Sequence, residues 1–171
     1  PDPRFVLFTE DLKISKSMKQ IIRSNKFKVT YDTQFEQVIQ NCKAVKRHGQ
    51  EGTWITPEME ASYAQLHALG YAHSVEVWEN ELLVGGLYGV CLGKMFFGES
   101  MFSKVSNASK FGFITLVENL KQKDFKIIDC QDYTTHLESL GAIEIPRNDF
   151  EQIIQREIPK TGKVGNWTHW F

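Results

Sequence analysis

The sequence has no apolar run of about 18 residues, and it does not open on a basic segment followed by an apolar one. It therefore gives no indication of a membrane span or an export signal. Cysteine is scarce, since Cys42, Cys91 and Cys130 are odd in number and widely spaced. Such cysteines favour buried free thiols over a disulfide framework. We expect a soluble protein in the cytoplasm, with no membrane partner.

An excess of basic residues is also missing, because 20 Lys and Arg face 21 Asp and Glu, for a net charge of -1. This balance excludes a globally basic nucleic-acid binder but leaves room for a local basic stripe. The 171 residues, 42% of them hydrophobic, can bury a full core in one domain. An initiator Met is absent, so we expect the chain to be a domain excised or processed from something longer.

One local stripe of basic residues is present. Lys16, Lys19, Arg23 and Lys26 recur at helical spacing, opposite the apolar side of a helix predicted over about residues 14–24. The stripe is either a solvated helix face or a contact to a nucleic-acid backbone.

The first half of the sequence predicts two short strands and three helices. A helix carrying Phe35 and Val38 is expected to be capped by Asp32 or Thr33. Another begins at Thr56-Pro57 and ends before Gly70. The strands are expected over residues 5–8 and 27–31.

The second half predicts an antiparallel meander over residues 73–78, 82–92 and 95–101. Gly85, Gly86 and Gly89 indicate a bulge or a close backbone approach within it. A buried helix over about 107–123, capped by Asn107, leads to a strand over 125–130 and makes a βαβ unit with a parallel pair. A short helix over 134–140, a strand over 142–145 and a helix over 147–157 follow. The fold class is α+β, with a mixed, mainly antiparallel sheet.

Two apolar runs end in polar residues that can form a site. If the strands around residues 96–103 and 127–131 are neighbours, Glu99, Asp129 and Gln131 converge beside Phe96, Met101 and Ile128. Asp129 and Gln131 are two apart and share one face of a regular strand. The alternative is that Glu99 and Asp129 are a capping carboxylate and a turn residue.

The order of elements resembles the acetyltransferase (GNAT) superfamily, and a set of motifs resembles a more specific family, the bacterial leucyl/phenylalanyl-tRNA–protein transferases. The resemblance runs from residue 1 to about 150. Its motifs are Pro1-Asp2-Pro3-Arg4, Glu51-Gly52-Thr53-Trp54-Ile55-Thr56, Leu69 to Trp78, Val84 to Gly89, Gly98 to Ser103, Asn107-Ala108-Ser109-Lys110, Ile128-Asp129-Cys130-Gln131 and His136 to Arg147.

This resemblance implies transfer of Leu or Phe, with Met as a further candidate, from aminoacyl-tRNA to the N-terminal amine of proteins starting with Arg or Lys. The product is marked for N-end-rule degradation. No metal or coenzyme is implied. Residues 1–171 would form a single GNAT-like catalytic domain, without the smaller N-terminal domain of the family. We expect a monomer.

The resemblance also implies site residues. Gln131 accepts a hydrogen bond from the attacking amine in a relay with Asp129, and Glu99 orients the acceptor. Trp54 stacks near the terminal adenosine, and the basic stripe contacts the tRNA backbone. The aminoacyl side chain lies against Leu87, Phe96, Gly98, Met101, Leu116, Leu120 and Ile128, although Leu116, Leu120 and Ile128 also suit a plain core.

Three alternatives remain open at this point. A coenzyme-A-dependent N-acetyltransferase would share the fold, but the stretch before the crossover helix lacks the Gly-rich backbone cradle that a pyrophosphate needs. A non-catalytic RNA-binding or regulatory domain gives no reason for Glu99, Asp129 and Gln131 to occur together. A nucleophile pair of Cys130 and His136 is disfavoured because Cys130 should face the core.

Overall fold

The computed structural model describes residues 1–45 and 55–171, which form seven strands, six α-helices and a 3-10 helix at Thr9–Asp11. The strands are β1 (Arg4–Phe8), β2 (Lys28–Tyr31), β3 (Ala72–Glu79), β4 (Leu82–Leu92), β5 (Met95–Ser103), β6 (Ile127–Gln131) and β7 (Ile143–Ile145). The helices are α1 (Lys16–Arg23), α2 (Phe35–Lys43), α3 (Pro57–Ala68), α4 (Ala108–Gln122), α5 (Thr135–Glu138) and α6 (Arg147–Glu157).

The strands form one sheet in the order β2-β3-β4-β5-β6-β1-β7. Strands β5 and β6 are parallel and are joined through α4, whereas the other neighbours are antiparallel. The predicted meander, the βαβ unit and the α+β class are therefore confirmed. The sequence did not predict that β1 lies between β6 and β7. This insertion brings the start of the chain beside the end of β6.

The sheet has apolar side chains packed on both faces. Helix α4 covers one face and buries most of its circumference, as predicted, with nine of its residues buried. On the other face α2 packs near β3 and β4, while α6 packs against Val6, Met95 and Ile127. Within residues 1–45 and 55–171, no helix is both long and apolar enough to cross a membrane.

The start and end of α3 agree with the sequence. The Thr56 hydroxyl accepts a hydrogen bond from the backbone amide of Met59 at 3.3 Å, and Pro57 occupies the first helical position. Gly70 follows the helix with a φ of 81°, a conformation that glycine adopts without a Cβ clash. Local sequence therefore suffices to place this helix.

The predicted cap of α2 is wrong. Neither Asp32 nor Thr33 caps α2, whose first flanking residue is Gln34, without a side-chain cap. Asp32 instead accepts hydrogen bonds from the backbone amides of Ser74 at 2.9 Å and Trp167 at 2.7 Å. His73 Nδ1 also lies 2.9 Å from Asp32 Oδ2, so the carboxylate is occupied by partners far from α2 in the sequence.

Asn107 does flank α4, but its φ is 70° and its side chain makes no cap hydrogen bond. The amide of Ser109 donates instead to the Ser103 hydroxyl at 3.2 Å. The helix begins directly against β4, where a Cβ on Gly85 would lie 2.7 Å from the Ala108 Cβ. The predicted close approach at this glycine is confirmed.

Candidate active site

The sheet splits between β5 and β6. These strands pair only from Met95 to Phe97, after which β5 continues to Ser103 and β4 is its one paired strand. A cavity of about 770 Å³ lies where the two strands separate. Side chains from both faces of the sheet line the cavity, including Leu87 from one face and Tyr88 from the other.

Glu99 reaches this cavity through a β-bulge. Gly89 lies opposite Gly98 and Tyr88 opposite Ser100, so Glu99 has no residue opposite it. Such an extra residue bends the strand and redirects its side chain. Glu99 lines the cavity and is hydrogen-bonded to Tyr63, where burial, the Glu99 charge and this hydrogen bond together raise the pKa of the Tyr63 hydroxyl. Tyr63 therefore stays a neutral hydroxyl beside the carboxylate.

Asp129 is held by a two-point ion pair. Arg4 donates from Nε to Oδ1 at 2.9 Å and from Nη2 to Oδ2 at 2.5 Å. The Asp129 side chain is 0% exposed, and the Arg4 side chain is 18% exposed. The guanidinium carbon also lies 5.1 Å from the ring centre of Phe150 on α6. The negative charge of Asp129 is thus matched by a fixed positive charge.

A second bulge lies in β6 itself. Phe5 lies opposite Gln131 and Val6 opposite Asp129, which leaves Cys130 without an opposite residue. Gln131 then adopts a left-handed φ of 67°, a conformation that costs about 1–2 kcal/mol for a residue with a Cβ. Its backbone amide donates to Asp129 Oδ1 at 2.9 Å, and its Nε2 donates to the Gly98 carbonyl at 2.7 Å. These two bonds offset the strain and fix the amide where the strands separate.

Glu99, Asp129 and Gln131 all line the cavity, so the structure brings together the three residues that the sequence placed at strand ends. The expectation that Asp129 and Gln131 share one face of a regular strand does not describe them, because the bulge and the left-handed residue interrupt the strand. They meet through the backbone amide of Gln131 instead. Their catalytic roles stay a prediction.

The seven residues predicted to contact the aminoacyl side chain fall into two groups. Leu87, Gly98 and Met101 line the cavity. The other four are 0% exposed in the core behind it and are not among its lining residues: Phe96, Leu116, Leu120 and Ile128. Their assignment to the side-chain pocket stays a prediction, and they contribute to the core.

The predicted tRNA contacts are only partly described. Trp54 lies outside the described residues. Lys16, Lys19 and Arg23 are exposed along α1, whose buried residue is Met18. The prediction that Lys26 shares this helix face is wrong, because α1 ends at Arg23 and the Lys26 ammonium lies 3.7 Å from Glu79.

The structure disfavours the Cys130–His136 nucleophile pair. Both residues line the cavity. Burial, with a smaller contribution from the Asp129 charge, raises the pKa of the Cys130 thiol to about 12. Burial and the Lys110 charge lower the pKa of His136. The thiol therefore stays protonated, and thiolate is the nucleophilic form. In the described part of the chain, no three His, Cys, Asp or Glu side chains are grouped to hold a metal.

Sequence reasoning missed several residues of this site. Arg4 belongs to the Pro1-Asp2-Pro3-Arg4 motif, yet its contact partner Asp129 lies 125 positions further along the chain, and no local pattern encodes this contact. Tyr63 lies on α3, far along the chain from the strand ends that carry the predicted polar groups. Phe113 is buried on α4, as expected for that helix, but it also lines the cavity, and periodicity does not separate a cavity wall from a core.

The fold defines a class of protein. The chain is similar to a GCN5-related N-acetyltransferase from Kribbella flavida, with a TM-score of 0.51 and 7% identity over 84% of this chain and 55% of that one. It is also similar to L-PGS from Bacillus licheniformis, with a TM-score of 0.50 and 11% identity over 75% of this chain and 44% of that one. The protein has the GNAT fold.

Sequence comparison then gives the family. The sequence model described as leucyl/phenylalanyl-tRNA protein transferase matches residues 6–155. Curated proteins of that name are 57% identical in Flavobacterium johnsoniae, over 91% of this chain and 73% of theirs, and 54% identical in Syntrophus aciditrophicus, over 98% and 70%. The chain belongs to the leucyl/phenylalanyl-tRNA–protein transferase family, whose members are aminoacyltransferases. The resemblance seen in the sequence is confirmed.

Proposed function

We propose that the cavity transfers Leu or Phe, and also Met, from aminoacyl-tRNA to the N-terminal amine of proteins that begin with Arg or Lys. The transfer would mark these proteins for N-end-rule degradation. The protein would act as a monomer in the cytoplasm. One observation carries the proposal. At the split of the sheet, the fixed amide of Gln131 lies in one cavity with apolar side chains and carboxylates.

The chemistry needs few groups, because an aminoacyl ester is already activated. The neutral amine attacks the ester carbonyl, the new C–N bond forms, and the C–O bond to the ribose breaks. The amine proton finishes on the released ribose hydroxyl. Gln131 Nε2 is engaged by the Gly98 carbonyl, which leaves the Gln131 side-chain oxygen to accept a hydrogen bond from the amine. Holding the amine in line lowers the barrier, because the reacting groups no longer have to reach this geometry by chance.

The charges of the cavity suit a cationic acceptor. Glu99, Asp129 and Asp132 line it, and Arg4 neutralises Asp129. Glu99 and Asp132 therefore carry the negative charge available to an incoming Arg or Lys side chain.

The donor side combines an apolar wall with contacts to RNA. Leu87, Met101 and Phe113 offer a surface for Leu or Phe, where complete burial of such a side chain contributes about 1.5–3 kcal/mol. Trp54 would stack on the terminal adenosine, at about 1–3 kcal/mol. The cations of α1 would contact the tRNA backbone.

The coenzyme-A alternative fits the residues poorly. In α4 the Ala108 amide donates to the Val105 carbonyl at 3.3 Å, and the Ser109 amide donates to the Ser103 hydroxyl at 3.2 Å. These two amides of the first turn are the donors that a pyrophosphate would need. Because the chain already satisfies them, an anion at this position would have to displace internal hydrogen bonds.

The test is a transfer assay with labelled Leu-tRNA and a model protein whose first residue is Arg. We expect label on that protein, none on the same protein beginning with Asp, and no acetylation with acetyl-coenzyme A. Gln131→Ala and Asp129→Ala should lower transfer sharply with nearly unchanged tRNA affinity. A second form of the chain, extended to the length of the curated relatives, shows what further segments add. Acetylation without aminoacyl transfer would overturn the proposal.

A further inference from the structure

The ion pair between Arg4 and Asp129 lies in the candidate site, but neither residue takes part in the bond changes of the proposed reaction. Asp129 accepts two hydrogen bonds from Arg4 and a third from the backbone amide of Gln131. Its side chain is 0% exposed. A carboxylate with this many donors and no exposed surface has little capacity left to take a proton from a substrate.

We propose that Arg4 is a positioning residue for the transfer reaction, which acts through Asp129 to hold the side-chain amide of Gln131, and that Asp129 takes no proton during the reaction. This inference rests on the proposed function, because Gln131 is there the group that meets the amine.

The geometry forms a continuous chain of contacts. The Arg4 guanidinium is held against the Phe150 ring, at 5.1 Å from its centre. Its fork orients the Asp129 carboxylate, whose Oδ1 accepts from the Gln131 backbone amide at 2.9 Å. That hydrogen bond maintains the left-handed backbone of Gln131, which in turn sends Nε2 to the Gly98 carbonyl at 2.7 Å.

The strand order places Arg4 close to Gln131. Because β1 is inserted between β6 and β7, Arg4 lies opposite Ile145 and next to Phe5, which lies opposite Gln131. A lysine at position 4 would keep the charge but could not form the two-point contact, since an ammonium lacks the planar fork. Arg4→Lys therefore separates the geometric role from the charge.

The experiment compares Arg4→Lys, Arg4→Ala, Gln131→Ala and the double variant Arg4→Ala/Gln131→Ala in the Leu-transfer assay. We expect Arg4→Lys to lower kcat by at least about tenfold with little change in the KM for aminoacyl-tRNA. In the Gln131→Ala background, Arg4→Ala should cause little further loss, because both changes remove one function. The control is Arg147→Ala, whose side chain pairs with Glu151 on the surface.

A second readout does not depend on activity. In Arg4→Lys the side-chain amide signal of Gln131 should move in an NMR spectrum, while that of Asn119, which donates to the Tyr31 hydroxyl, should stay in place. If Arg4→Ala does not fold, Arg4→Lys carries the test.

The outcomes are distinguishable. An unmoved Gln131 signal, an unchanged kcat in Arg4→Lys, or losses that multiply in the double variant would overturn the positioning role alone. Full transfer by Gln131→Ala would remove Gln131 from the reaction and the inference with it. Absence of transfer by the unaltered protein would count against the proposed function, and the NMR comparison would still decide whether Arg4 positions Gln131.

Discussion

At the residue scale, two carboxylates in one cavity have different partners. Asp129 faces a guanidinium in a buried two-point pair, whereas Glu99 faces the neutral hydroxyl of Tyr63. Removing one partner of a buried pair leaves an uncompensated charge, which commonly costs about 3–5 kcal/mol. Asp129 is therefore tied to stability and geometry.

The Cys130 thiol provides a residue-scale prediction. Its pKa is raised to about 12 by burial, so the thiolate fraction is very small near neutral pH and grows only as the pH rises towards that value. We expect iodoacetamide to modify Cys130 slowly at about pH 8, where an unperturbed thiol of pKa about 8.5 reacts readily. Mass spectrometry of the digested protein measures this rate.

The accompanying variant is Cys130→Ala, for which we expect transfer close to that of the unaltered protein. Rapid alkylation together with loss of transfer in Cys130→Ala would restore Cys130 and His136 as a nucleophile pair.

At the scale of single elements, the start of α4 depends on Ser103 and not on Asn107. The Ser103 hydroxyl accepts from the Ser109 amide at 3.2 Å and donates to the Val105 carbonyl at 2.8 Å. We expect Ser103→Ala to lower the free energy of unfolding by about 1 kcal/mol, the usual cost of a lost cap. Urea denaturation followed by circular dichroism measures the change.

Asn107 offers the matched comparison, because its φ of 70° suits glycine and its side chain caps nothing. Asn107→Gly should leave stability unchanged or raise it by up to about 1 kcal/mol, while Asn107→Ala should lower it. If Asn107→Gly cost as much as Ser103→Ala, Asn107 would have the cap role that the sequence suggested.

The exposed face of α1 gives a prediction about tRNA. Lys16, Lys19 and Arg23 lie at spacings of three and four residues and are exposed, so they can follow a phosphate backbone. We expect Lys19→Ala/Arg23→Ala to weaken binding of all tRNAs about equally. The slope of log affinity against log salt should also flatten by about 0.7–0.9 per lost phosphate contact.

The matched control removes two other exposed lysines, as Lys126→Ala/Lys163→Ala, which should leave the salt slope in place. Equal salt slopes in the α1 variant and the unaltered protein would mean that the basic face of α1 is only solvated and does not contact tRNA. Binding measurements over a salt series decide between these results.

At the scale of the whole molecule, the sequence predicted what depends on neighbours in the chain. The Thr56-Pro57 start and Gly70 end of α3, the meander and the parallel βαβ unit follow from local propensity and hydrophobic period. Gly89 in β4 indicated a bulge or a close approach, and the register shift between β4 and β5 does lie beside it. That Glu99 is the residue left without an opposite partner depends on the register between the two strands, which no single strand encodes. The insertion of β1 and the Arg4 contact depend on which strands become neighbours, and alternation alone leaves that choice open.

The contacts of the C-terminal segment, residues 167–171, could not be predicted from the sequence either. The sequence shows its aromatic residues but does not show which residues they pack against. Trp167 is 0% exposed, its ring stacks on His73 with centres 3.7 Å apart, and its backbone amide donates to Asp32. The Thr168 hydroxyl donates to the Tyr31 carbonyl at 3.1 Å. These contacts join the end of the chain to β2 and β3.

The last prediction follows from these contacts. Trp167→Ala removes a fully buried aromatic ring and the stacking partner of His73, so it should lower the free energy of unfolding by about 3–5 kcal/mol. The Trp167 backbone amide that donates to Asp32 remains, so the loss measures packing. Phe171→Ala is the control, because its side chain is 37% exposed and should cost much less. Urea denaturation of both variants gives the two values, and equal small losses would mean that the C-terminal segment is not packed on the sheet in solution.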